Sequence, residues 1–209
     1  MIFHIPSRTT GTVYHYEGTY LMRSGETLVP MSEDRLRSIF AEGKPDFLAG
    51  IACDDLDAED VIHSIDTQSY FDLRKIPYPA DRTGVLQRFE SERLVFSHDG
   101  LFGITNLGAV LFAKNLSEFP TVARKSPRVV VYDGTSKLDT KLDQFGAKGY
   151  AVGLEGLIDF INSHTKKNEI IGKAFRTDVK MFPGEAIREL TANALIHQDF
   201  EETGSSVMV

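Results

Sequence analysis

The sequence has 209 residues, 42% of them hydrophobic and 25% charged, a composition that excludes a disordered or collagen-like chain and leaves room for one large domain or two small ones. A formal net charge of −7 excludes binding of nucleic acid through the field of the whole molecule, so any such contact needs a local patch. No apolar run approaches the roughly 20 residues of a transmembrane helix, the N-terminus MIFHIPSRTTG carries no signal peptide, and the single cysteine, Cys53, excludes an internal disulfide, so a cytoplasmic protein without membrane contact is expected.

The acidity is uneven. Residues 1–99 hold 10 Lys/Arg against 17 Asp/Glu, whereas residues 100–209 hold 13 against 13. It is densest from Asp54 to Asp66, which contains Asp57, Glu59 and Asp60 and no Lys or Arg, and reads as a solvated acidic connector over 44–82.

In chain order, IFHIP is a short apolar run closed by proline, as expected of a strand. VYHYEG and TYLMRSG alternate apolar and polar residues around Glu17-Gly18, a hairpin pattern that Ser24-Gly25 and Pro30 bring to an end. Ser32 before EDRLRSIFAEG marks a helix start and Gly43 its end. RTGVLQRFESERLVF has helical spacing at Val85, Leu86, Phe89 and Leu94, and LVFSHDGLFGITN turns at His98-Asp99-Gly100, because Asp-Gly supplies the positive φ of a tight hairpin. Asn106 is placed to cap the apolar helix LGAVLFAKN. Helix, hairpin and helix in this order fit either a winged-helix-like DNA-binding unit or a packing module.

RVVVYDG (128–134) reads as a buried strand. Around it, Lys114, Arg124, Lys125, Arg128, Lys137 and Lys141 outnumber three acids; this is either a solvated face or a phosphate-contacting surface, with Arg124, Lys125 and Arg128 as the nucleic-acid candidates. GLEGLIDFINSHT (153–165) is an amphipathic helix, and IIGKAFRTDVKMF supplies one or two strands.

The last helix, PGEAIRELTANALIHQDF, carries the chemistry. At about 100° per residue, Glu189, Asn193 and His197 share a stripe roughly 80° wide, while apolar residues occupy almost every other direction, which predicts a largely buried helix. Buried carboxylate and amide groups need partners, since each unpaired one costs about 1–3 kcal/mol. Those partners are either neighbouring strands and rim solvent, or a bound metal and phosphate. A hard cation takes oxygen ligands such as the Asn193 amide oxygen, and a carboxylate one turn away reaches its bound water.

The blocks LVFSHDGLFGITNLGAVLFAKN, RVVVYDGT and PGEAIRELTANALIHQDFEETGSSVMV, in that order, resemble the C-terminal half of the bacterial and archaeal RecG-related transcriptional regulators. In that family the last block opens a GHKL-type ATPase-like domain, with the pattern Glu, three residues, Asn, Ala, two residues, His, one residue, Asp and an aromatic. The resemblance implies that Asn193 coordinates Mg²⁺ of Mg-ATP, that Glu189 is the catalytic residue, orienting or deprotonating the attacking water, and that His197 and Asp199 are accessory, helping to shape the nucleotide site. Gln198 stands where the pattern usually carries Arg, removing a phosphate-facing charge. Residues 1–43 resemble the closing part of a Schlafen-AlbA domain, which in these proteins is associated with nucleic-acid binding.

The expected architecture is therefore α+β in two small lobes: a partial Schlafen-AlbA-like sheet (1–43), the acidic connector (44–82), and an α/β region (83–209) leading into an incomplete ATPase-like sandwich. A DNA-binding transcriptional regulator is expected, cut at both ends. The segments that would hold adenine and cover the phosphates are expected beyond Val209, so this chain alone is not expected to hydrolyse ATP or bind Mg-ATP tightly. The alternative is an interaction or homo-oligomerisation module with a vestigial nucleotide site.

Overall fold

The computed structural model describes residues 7–43, 46–133, 137–165, 167–171, 176–202 and 204–209, the strands at 167–171 and 176–180 by backbone alone. It is an α+β chain of short helices and small antiparallel sheets, divided into two compact units, Met1–Asp46 and Phe47–Val209.

In the first unit, strands β1 (His15–Tyr16), β2 (Thr19–Ser24) and β3 (Thr27–Pro30) form an antiparallel sheet in that order. Glu17 and Gly18, with φ of 50° and 79°, make the expected two-residue turn. Gly25 (φ 63°) turns the chain again, so TLVP adds a third strand where the hairpin was expected to end. Helix α1 (Glu33–Ala41) starts at Ser32, whose Oγ accepts from the Arg35 amide at 3.3 Å. Arg8 pairs with Glu42 beyond the helix end. The strand expected at residues 2–6 lies outside the described residues.

The acidic connector is corrected. From Phe47 onward the chain is folded: strand β4 (Ile51–Leu56), helix α2 (Ala58–Ser64) with Ile65 just after it, and helix α3 (Thr67–Arg74) contribute Ala52, Val61, Ile65, Tyr70 and Phe71 to the core of the second unit. Several of the acids are structural. Asp57 caps α2 in a reciprocal capping box with Asp60, and Asp66 caps α3 through the Ser69 amide at 3.0 Å. Three acids of the run, Asp57, Asp60 and Asp66, thus serve the starts of two short helices in quick succession, whose first amides have no partner within the helix.

Helix α4 (Arg82–Ser91) follows, capped by Asp81, and buries Val85, Leu86 and Phe89 as its spacing predicts. Strands β5 (Val95–His98) and β6 (Leu101–Thr105) join through Asp99 and Gly100, both at positive φ, and β4 completes a sheet of order β4-β6-β5. The unit is thus larger than the helix, hairpin and helix read from sequence. Helix α5 (Asn106–Phe112) is capped by Thr105 rather than Asn106: Thr105 Oγ1 accepts from the Gly108 amide at 3.0 Å. Asn106 instead ties loops together, donating to Phe47 O and accepting from Thr121 Oγ1. Tyr70, Phe71, Phe89 and Phe112 meet mostly edge to face at the centre, and burying one such ring contributes about 1.5–3 kcal/mol.

Strand β7 (Arg128–Tyr132) was expected to be buried; only Val129 is. It pairs with β8 (Thr140–Phe145) on one edge and, in parallel, with residues 207–209 on the other. Helix α6 (Tyr150–His164) begins three residues before the glycine-led segment suggested, and β9 (Lys167–Ile171) pairs with β10 (Arg176–Lys180) as an antiparallel hairpin. Helix α7 (Gly184–Ile196) closes the order. Ile187 packs with Ile158 and Ile161 of α6 and with Val129, and Leu195 joins the main core.

Candidate functional site

Helix α7 follows Pro183, whose carbonyl accepts from the amides of Ala186 and Ile187. One narrow stripe, Ile187, Thr191 and Leu195, is buried. Arg188 forks onto both carboxylate oxygens of Glu155 at 2.5 Å and fixes α7 against α6. Hydrogen bonding from Arg188, with its charge, holds the Glu155 carboxyl below its ordinary pKa.

Glu189, Asn193 and His197 do share a face, roughly 160° from the buried stripe, and Asn193 Nδ2 donates to Glu189 Oε1 at 3.0 Å. All three are exposed, as is Asp199. The expectation of a largely buried α7 is corrected, because the helix packs through one stripe only. Its flanking residues Leu190 and Ile196 are 71% and 67% exposed. The polar groups are open to solvent, so burial no longer calls for a ligand. With its amide nitrogen engaged by Glu189, the oxygen of Asn193 is the group left for a cation, and the carboxylate one turn away suits a hard ion. Both are oxygen donors of the type a hard cation takes.

His197 ends the helix, its amide donating to Asn193 O at 2.9 Å. Asp199 Oδ1 accepts from the Glu201 amide at 2.9 Å. Gln198 turns inward, donating to Tyr150 Oη and to Leu195 O. Its neutral side chain thus serves packing at a position read from sequence as facing phosphate. Burial raises the pKa of the Tyr150 phenol, and the hydrogen bond from Gln198 offsets only part of the rise. An apolar cavity of about 320 Å³ opens beside the helix, lined by Leu107, Leu111, Leu154, Ala192, Ile196 and Phe200 among others; among the described residues its lining holds no charged group to receive a phosphate.

The nucleic-acid candidates do not assemble into one surface. Arg124 is exposed, but Lys125 is buried, and Arg128 is engaged by Asp143 at 2.6 and 2.8 Å and by the ring of Phe145. At the β5–β6 hairpin, Asp54 and Asp55 lie beside His98, with ligand-type atoms all within 4.8 Å of one another. The acids beside its tip do not suit a wing following a phosphate backbone. This exposed group escaped the sequence reading because its members are far apart in the chain and meet only across the sheet, where a bulge holds Asp55 at φ 58°. No helix among the described residues is long and apolar enough to cross a membrane.

No family model matches the chain, and no curated protein matches it. A solved structure, that of the DIP2311 protein from Corynebacterium diphtheriae, is similar over 91% of this chain and 36% of that one, with 16% identity and a TM-score of 0.49. The chain thus spans about a third of that protein's length, and a likeness of this degree carries no functional argument.

Proposed function

We propose that α7 carries the metal and phosphate half of a nucleotide site in a DNA-associated regulator. Asn193 ligates Mg²⁺ through its amide oxygen, Glu189 orients a metal-bound water, and His197 and Asp199 shape the end of the site. The observation that carries the reading is the Glu189–Asn193 pair, hydrogen-bonded at 3.0 Å on an exposed face with His197 one turn further on. The resemblance of PGEAIRELTANALIHQDF to the GHKL-type pattern supports the same roles. DNA association rests on the resemblance alone.

The test is a titration of Mg-ATP followed by NMR shifts of α7 amides and the Asn193 side chain, a readout that detects weak binding. Expected are weak, Mg²⁺-dependent shifts confined to α7 and residues 197–202 and abolished by Asn193→Ala. Absence of shifts, or shifts indifferent to Mg²⁺, refutes the nucleotide reading. A low-salt electrophoretic assay without retardation of DNA removes the regulator half.

The exposure of Leu190 and Ile196 beside the stripe favours a second reading, an interaction or homo-oligomerisation face. Concentration-dependent self-association in sedimentation, lost in Leu190→Asp, would select it over the first.

A further inference from the structure

Lys125 is 4% exposed, the burial of a core residue. Its ammonium donates to the backbone carbonyls of Glu202 at 2.7 Å and Asp199 at 3.2 Å. The rings of Phe47 and Phe200, stacked with centroids 6.2 Å apart, each have their centre 5.9 Å from Nζ. The backbone of the same residue is held from another side, where Tyr150 Oη donates to Lys125 O at 2.6 Å while accepting from Gln198. An ammonium withdrawn from water is tolerated only where it is hydrogen-bonded, and an apolar side chain of equal length would fill the same space at lower cost. What the charge adds is a fixed position for two carbonyls. Both belong to the segment that leaves α7 and returns to run parallel to β7, where Arg128 N donates to Val207 O.

We propose that Lys125 is a positioning residue for the segment after α7: its caged ammonium fixes residues 199–202 and thereby holds Asp199 and His197 at the end of the polar stripe. The structural part stands on these contacts; the consequence for ligand binding rests on the nucleotide reading above.

Three measurements on the full chain test it. In the wild type, a caged Nζ keeps its protons long enough to give a resolved ¹H–¹⁵N lysine signal correlated with the carbonyl carbons of 199 and 202. A Lys125 signal exchanging like those of surface lysines overturns the proposal, whether or not any variant folds. In Lys125→Met, exchange of the Glu201 amide should accelerate on the order of 10-fold or more while β5–β6 amides keep wild-type rates; unchanged exchange at 201, or equal acceleration everywhere, overturns it. In a Cys53→Ser background, Lys125→Cys aminoethylated before refolding should restore wild-type protection at 201, because it returns an ammonium to the same place; failure to restore it overturns the role of the charge. Mg-ATP shifts on α7 should weaken in Lys125→Met and return on aminoethylation. A wild type without such shifts refutes the nucleotide reading while leaving the exchange results to judge Lys125. A folded Lys125→Met protein that loses protection at 201 yet binds Mg-ATP like the wild type overturns the positioning of the site.

Discussion

Replacing Gly108 with alanine should destabilise the protein severely, although the same change elsewhere in the chain should stabilise it. Gly108 lies in the first turn of α5, and a Cβ added there would sit 2.2 Å from the carbonyl oxygen of Leu94 and 3.0 Å from its carbon. That oxygen already accepts from the Thr105 amide and from Thr105 Oγ1, both at 3.1 Å. The neighbour is backbone, so the methyl fits only if α5 moves about 1 Å off the start of β5, which pulls at those two hydrogen bonds. Overpacking costs about 1–3 kcal/mol, an under-satisfied buried carbonyl about 1–3 kcal/mol more, and the gain in helix propensity returns about 1 kcal/mol. A net loss of about 1–5 kcal/mol follows, against the 5–15 kcal/mol typical of a folded domain. Gly156, inside α6, offers the control: a Cβ there meets nothing within 4 Å, so Gly156→Ala should gain up to about 1 kcal/mol. Urea denaturation followed by circular dichroism measures both. A Gly108→Ala midpoint within error of the wild type, or equal losses in the two variants, would refute the reasoning.

Asp57→Ala should cost about 0.5–2 kcal/mol in urea denaturation, because it removes the capping box of α2; a neutral result would return that stretch to a solvated linker. Tyr150→Phe should cost about 1–3 kcal/mol, since Lys125 O and Gln198 Nε2 both lose the partner they have in the phenol, and loss of protection at the Gln198 side chain by NMR should accompany it. Glu155 has its pKa lowered in the folded state, chiefly by hydrogen bonding from Arg188. Its contribution is therefore complete above the ordinary carboxylate pKa and lost as the pH falls through the folded value. Glu155→Gln should be slightly less stable than the wild type near neutral pH and indistinguishable from it in strong acid, measured as urea midpoints from about pH 7 to about pH 2.5. A gap that widens on acidification would contradict the pairing.

The sequence blocks on which the expected family resemblance rests contain residues that do different things in the fold. In LVFSHDGLFGITNLGAVLFAKN the turn residues Asp99 and Gly100, the cap Thr105 and the close-packed Gly108 account for shape. In the last block the buried positions Ile187, Thr191 and Leu195 account for packing, and Glu189, Asn193 and His197 are left over on the solvent side.

What the sequence by itself determined is local. Ser32 before α1, Glu17-Gly18 and Asp99-Gly100 at their hairpins, and the four-residue spacing of Glu189, Asn193 and His197 act through neighbours in the chain, and each lies where its residue types place it. Periodicity sets the angles between side chains within one element but does not say what each face meets. Tertiary structure decided that the acids of 57–66 cap helices of the core, that the polar stripe of α7 faces water, and that Lys125 is buried. Its partners in Asp199 and Glu202 are 74 and 77 residues away. Burial of a charge depends on such distant groups converging, which no local pattern encodes.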